Sequence, residues 1–358
     1  MLSSLIVFGK SLSLNGPFLD YIKSELPFMP DSINFFEKND TNIFENLEKI
    51  ILKSNKILIF ASRENFNFIA KIISTLCEDS LEFKEETLIP SKSIDFSKNT
   101  FLIKYKNCLI NTLLVYENEE LPEILLTNEN RSKTFSLIGV DKESAKILTQ
   151  PLAQTYEVDI ETSLLVEGWS IVEAKAKKYG DIEHFLQSVS SLFPDKYLQS
   201  DKPVEHIVKK LIQHNKTITT AESCTGGRLA SMITSISGSS KIFHGSVVSY
   251  ANHIKEAWLN VDRQTIENYG AVSELCVREM LEGSIKLTNS DFSLATSGIA
   301  GPTGGTKEKP VGTVYVGARN KKGDVLIERL LLKGNRNYIQ IQSCYHAFRL
   351  LFILQKDI

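Results

Sequence analysis

The stretch Ala221-Glu222-Ser223-Cys224-Thr225-Gly226-Gly227 sets a small hydroxyl between a β-like run, residues 216–220, and a helical pattern, residues 228–236. On a strand-to-helix turn, the free N–H groups of the helix start can face an anion or a developing oxyanion. A serine so placed becomes a catalytic nucleophile when a base comes within reach. The alternative is an N-cap serine with glycines for a tight turn, the ordinary meaning of an isolated S-x-T-G-G. Thr225, Gly226 and Gly227 would border whatever binds there. Cys224 is a competing nucleophile, but it has no histidine partner in sequence, and a packed core cysteine is its other reading.

Lys255 is the candidate base. It falls on the first turn of a helix that Asn252 is expected to cap, where its charge opposes the helix dipole. A lysine that is buried, or beside another cation, has a depressed pKa and can accept a proton; otherwise it is a solvated surface lysine. Arg336 can be that cation, or a fork of donors for a phosphate or carboxylate. Tyr250 and Asn252 flank the strand end before Lys255 and can touch substrate, or serve only as strand aromatic and cap. Residues 297–305 form a Gly-rich loop after a buried strand, opened by Ser297 and Gly298. Such a loop admits an anion to its backbone amides, or is a plain connection; it lacks the G-K-[ST] end of a P-loop.

These residues must be positioned by alternating strands and helices. Apolar runs at 5–8 and 56–61 read as buried strands, with helices at 17–26, 42–53 and 66–76. Residues 101–106 and 109–116 are β-rich, and a short helix near 122–126, a strand at 134–140 and a helix at 142–150 follow. Alternating βα units imply a mainly parallel sheet covered on both faces. Pro151 marks a boundary; strands at 157–162 and 170–176 and a helix at 182–192 make a small α+β module. A third domain follows an amphipathic helix at 203–214. It has strands at 245–250, 292–296, 312–319 and 325–332, the last two an antiparallel pair. Ser273 and Asn335 cap its later helices. Ligands of open α/β sheets bind at the carboxyl ends of strands, where Ser223, Lys255, Ser297 and Arg336 all fall.

The 358-residue chain is 42% hydrophobic, with a formal net charge of −2. That balance excludes a general nucleic-acid binder. No apolar run reaches transmembrane length, and residues 1–8 lack a signal peptide's basic start, so the expectation is a cytoplasmic protein with no membrane partner. The cysteines Cys77, Cys108, Cys224, Cys276 and Cys344 are scattered, with no C-x-x-C pair. Neither a disulfide framework nor a zinc site is expected.

The ordered motifs A-E-S-C-T-G-G (221–227), S-Y-A-N-x-x-K (249–255), G-A-V-S-E (270–274), S-G-I-A-G-P-T-G-G (297–305), K-P-V-G-T-V-Y (309–315) and G-N-R (334–336) resemble the C-terminal domain of the CinA family. Members active in that domain are nicotinamide mononucleotide deamidases. The resemblance implies Ser223 as nucleophile and Lys255 as base, with Tyr250, Asn252, Ser297, Gly298, Arg336, Thr225, Gly226 and Gly227 toward a nucleotide substrate. It implies no metal or cofactor for this half, and a homodimer. Ser297 stands where the family usually has threonine, and Gln340 where it often has a second arginine. The layout also resembles that of CinA: an α/β fold with a three-layer, molybdopterin-binding-like domain at 1–150, a KH-like α+β linker module at 151–202 and the α/β deamidase domain at 203–358. In the first domain, Gly9-Lys10-Ser11-Leu12-Ser13 replaces a G-D-E-L-L-like motif, and residues 60–66 replace a glycine-rich loop with paired aspartates. Fold retention with loss of the ADP-ribose pyrophosphatase site is therefore expected. The competing readings are a non-catalytic nucleotide-binding or competence-associated regulator, and a pyrophosphatase with a rearranged N-terminal site.

Overall fold

A computed structural model describes residues 2–126 and 132–355. Contacts divide the chain into two units, residues 1–129 and 130–358.

In the first unit, strands and helices alternate as β1 (Leu2–Phe8), α1 (Lys10–Leu14), α2 (Gly16–Glu25), β2 (Ser32–Phe36), α3 (Ile43–Lys53), β3 (Ser54–Ser62) and α4 (Arg63–Leu76). Then come β4 (Leu81–Lys84), β5 (Thr87–Pro90), β6 (Asp95–Ser97), β7 (Thr100–Tyr105) and β8 (Cys108–Val115). The main sheet has the order β2-β1-β3-β8-β7-β6. Its first four strands are parallel, and β7 and β6 are antiparallel additions. Side chains alternate across a strand. Ile57 and Ile59 therefore pack with Leu47 and Ile69 of α3 and α4, while Leu58 and Phe60 pack with Phe18 and Ile22 of α2. Helices thus cover both faces, as the apolar runs require. The helix expected at 122–126 does not form. The Leu125 and Leu126 amides donate instead to the buried Asn111 side chain, at 2.8 and 3.3 Å.

The second unit begins with β9 (Ser132–Ile138), α5 (Lys142–Thr155), β10 (Val158–Val166), β11 (Trp169–Ala176), α6 (Ile182–Leu192) and β12 (Tyr197–Leu198). Here the expected boundary at 150 is corrected. Strand β9 pairs antiparallel with β11 and β12 in a four-stranded sheet of order β10-β11-β9-β12. Helix α5 runs through Pro151 and packs Ala145 and Ala153 on that sheet. The α+β module therefore starts near residue 132, not 151.

Helix α7 (Pro203–Gln213) leads to β13 (Ile218–Glu222), α8 (Arg228–Thr234), β14 (Phe243–Val248), α9 (Asn252–Leu259), α10 (Arg263–Tyr269) and α11 (Glu274–Thr288). After these come β15 (Phe292–Gly298), β16 (Thr313–Asn320), β17 (Val325–Leu331) and α12 (Arg336–Leu354). The sheet order is β14-β13-β15-β16-β17, parallel through β15 and antiparallel beyond. One face buries Ile218, Leu294 and Val316 against α7, α8 and α12; the other buries Ala221 and Ala295 against Val277, Met280 and Leu281 of α11. Each of the larger of these side chains, Ile, Leu, Val or Met, contributes about 1.5–3 kcal/mol when fully buried. Helix α11 comes so close to α9 that a Cβ on Gly283 would lie 1.9 Å from the Leu259 carbonyl oxygen. Glycine at 283 thus sets where α9 sits, and with it Lys255.

Candidate active site

Ser223 follows the last residue of β13, and its amide donates to the Thr296 carbonyl at 3.0 Å. The turn beyond it is held by a buried carboxylate. Glu222, with no exposed surface, accepts from the amides of Gly227 (3.0 Å), Leu229 (3.0 Å) and Ala230 (2.9 Å) and from the Thr225 hydroxyl (2.7 Å). Orphan amides of the α8 start are thereby satisfied by an anion, which also suits the helix dipole. Gly226 and Gly227 have φ of +61° and +95°, left-handed values that a side chain would oppose. In the sequence, the signal for Glu222 is an acid immediately before the hydroxyl, followed by two glycines.

Two amides in the turn remain open. Those of Cys224 and Thr225 have no backbone or side-chain oxygen as acceptor among the described residues. The Cys224 thiol is buried, which pushes its pKa up to about 12, so it stays protonated and unreactive near neutrality.

Lys255, on α9, is 1% exposed. Its Nζ lies 3.1 Å from Ser223 Oγ, 2.5 Å from the Ser249 carbonyl oxygen and 3.3 Å from that of Tyr250. Burial lowers its pKa from the ordinary 10.5. Desolvation, and not a neighbouring cation, is the cause. The three partners suit a neutral amine. A neutral amine can keep its two N–H groups on the two carbonyls and turn its lone pair to the Ser223 hydroxyl, whereas an ammonium donates to all three oxygens. Ser223 itself is 9% exposed.

Beside this pair lies a cavity of about 610 Å³ lined by Thr225, Gly226, Gly227, Arg228, Ser231, Tyr250, Arg336 and Gln340. Tyr250 joins the cavity to the Ser223–Lys255 pair, since it lines the one and its carbonyl meets Lys255. Arg336 donates to the Gly301 carbonyl (2.9 Å) and to the Tyr250 hydroxyl (2.8 Å). Neither Arg228 nor Arg336 has a carboxylate partner among the described residues. Two uncompensated guanidinium groups on one polar cavity attract an anion, and phosphate is the group their donor forks match. Arg228 is not visible as a site residue from sequence alone, because a lone arginine after Gly-Gly carries no local signal.

The remaining expected residues fall differently. Ala251, not Asn252, is the N-cap of α9; Asn252 is its first residue, is exposed and does not line the cavity. Ser297 is 1% exposed and donates to the Ala271 carbonyl at 2.7 Å, so its hydroxyl ties the loop before α11. Gly298 is a packing glycine: a Cβ there would lie 2.8 Å from Val314 Cα. Neither lines the cavity. Ser273 and Asn335 cap α11 and α12 as expected. Among the described residues no group of three or more His, Cys, Asp or Glu could hold a metal ion. No helix there is long and apolar enough to cross a membrane.

Comparison with known proteins bears on the same region. A family model, the CinA C-terminal domain, matches residues 200–354. A protein of Thermoanaerobacter sp. (strain X514) named as competence-damage inducible is 40% identical over 230 residues, 62% of this chain and 55% of its own. A CinA-like protein of Thermosipho melanesiensis is 46% identical over 156 residues, 43% of this chain and 39% of its own. The chain thus spans about half the length of the curated relatives it matches. Among solved structures, the competence/damage inducible protein CihA from Agrobacterium tumefaciens is 33% identical with a TM-score of 0.41, covering 42% of this chain and 96% of that one. Residues 200–354 are therefore a CinA C-terminal domain.

Proposed function

We propose that the C-terminal domain hydrolyses the carboxamide of nicotinamide mononucleotide, giving nicotinate mononucleotide and ammonia. The observation that carries this reading is the buried amine of Lys255, 3.1 Å from Ser223 Oγ and held by two backbone carbonyls. Neutral Lys255 takes the hydroxyl proton as Oγ attacks the carboxamide carbon. The amides of Cys224 and Thr225 receive the oxyanion. Collapse of the tetrahedral adduct breaks the C–N bond, and the Lys255 ammonium returns its proton to the leaving ammonia. Water, activated by the same amine, then cleaves the ester and frees Ser223. Arg228 and Arg336 hold the substrate phosphate, and the cavity volume suits a mononucleotide.

The test is to incubate the purified protein with nicotinamide mononucleotide and to follow ammonia and nicotinate mononucleotide together. Stoichiometric release of both by the wild type, absent from Ser223→Ala, is the expected result. Wild-type release no faster than that of Ser223→Ala would overturn the reading.

A further inference from the structure

Gln340 stands at the meeting point of the two features that this chemistry needs. It is 9% exposed, on the first turns of α12, and lines the cavity. Its Nε2 donates to the Cys224 carbonyl at 2.7 Å, and its Oε1 accepts from Arg228 Nη2 at 3.4 Å. The Cys224–Thr225 peptide is trans, so its C=O and N–H point in opposite directions. Fixing the carbonyl on Gln340 therefore fixes the Thr225 N–H on the other side, where it has no acceptor among the described residues. A free peptide at this place, between two glycines and a nucleophile, could rotate and remove that donor.

We propose that Gln340 is a positioning residue that holds the Cys224–Thr225 peptide in its oxyanion-binding orientation while steadying Arg228 as an anion-binding group. The inference rests on the deamidase reading given above. The two halves of the amide have separable consequences. The donor half acts on the transition state, hence on kcat. The acceptor half acts on a ground-state contact to the phosphate through Arg228, hence on KM.

Three variants separate them. Gln340→Met removes both halves and should lower kcat for nicotinamide mononucleotide about 10–100-fold, as a displaced oxyanion donor does. Gln340→Lys restores a donor and should bring kcat back to within about 3-fold of wild type, with KM still raised. Arg228→Met should raise KM about 10-fold and change kcat little. A second readout needs no nicotinamide substrate: the rate at which a fluorophosphonate ester labels Ser223. There the Oγ–P bond forms, the P–F bond breaks, fluoride leaves and Lys255 keeps the proton. The order wild type, then Gln340→Lys, then Gln340→Met is expected again. If the wild type releases no ammonia, the proposed substrate is wrong, and the labelling order still decides the role of Gln340. Equal labelling and kcat for Gln340→Met and wild type, or no rescue by Gln340→Lys, would overturn the inference.

Discussion

In each unit of the chain a parallel strand passes into a helix through a glycine-bearing turn, and the two turns treat charge in opposite ways. After β1, Gly9 lets the chain close on β3, where a Cβ would lie 2.6 Å from Ser62 Oγ. The next residue, Lys10, pairs with Glu37 at 3.1 Å while 65% of its side chain stays exposed. After β13, Glu222 is buried under six donors, and Lys255 is buried against Ser223 with its pKa lowered. An exposed charge is satisfied by water and asks nothing of its neighbours. A buried charge costs several kcal/mol unless partners are built for it. Such building, with a perturbed pKa beside an open cavity, is the mark of tuned chemistry. Only the second turn carries it.

The contrast can be broken most severely at the dyad. Ser223→Ala and Lys255→Ala should each lower deamidation by about 10⁴-fold or more, measured as ammonia release, with unchanged circular dichroism. Wild-type-like rates from either folded variant would sink the assignment.

The pH profile sharpens the same point. A protonated Lys255 has no lone pair to give. Below its pKa, kcat/KM should rise about tenfold per pH unit and then level off below the ordinary lysine value of 10.5. A limb extending unbroken to that value would mean that the amine is not tuned. Stability moves in the same direction with pH. The unfolded chain binds this proton more readily, so the lysine lowers stability as pH falls below 10.5. Lys255→Met should accordingly unfold at equal or higher urea concentration than wild type at neutral pH.

Glu222 tests the cost of the buried turn. Glu222→Gln turns an amide donor toward the α8 amides and should cost about 2–4 kcal/mol in urea unfolding. Little or no loss would show that the carboxylate is not what holds the turn. A smaller effect is expected at Gly283→Ala, about 1–3 kcal/mol from forced separation of α9 and α11, accompanied by slower deamidation as Lys255 shifts.

The least effect belongs to the first turn. Lys10→Ala removes an exposed pair and should change stability by less than about 0.5 kcal/mol, with ammonia release untouched. The same unit should form no AMP from ADP-ribose with Mg²⁺, Mn²⁺ or Co²⁺. AMP formation that survives Ser223→Ala would restore a working site to the first unit and end the contrast.

Much of this was legible in the chain. Ser223 between an apolar run and two glycines, Asn335 and Ser273 before apolar-periodic stretches, and the antiparallel pair at the chain's far end all follow from short-range rules of capping, turn and period. The misplaced boundary at 150 shows where such rules stop. Strand β9 and helix α5 look like one more βα unit, because their patterns are local, whereas the choice of sheet is made by pairing with β11 across 31 to 43 residues. The cap of α9 slipped by one residue for a related reason, since Ala251 takes the cap position with no side-chain bond to announce it.

What the sequence determined by itself was the set of groups and their places at strand ends: a hydroxyl, an amine, glycines that allow left-handed backbone, and the arginine at 336. What only the tertiary structure decided was which of these lost their water. Lys255 is buried because α9 packs tightly on α11, and the proposed role as base rests on that burial. Ser297 was taken up by the Ala271 carbonyl. Arg228 and Gln340 met across 112 residues of chain. Desolvation and hydrogen-bond geometry depend on atoms brought together from distant segments, and those two quantities separate a surface lysine from a catalytic one.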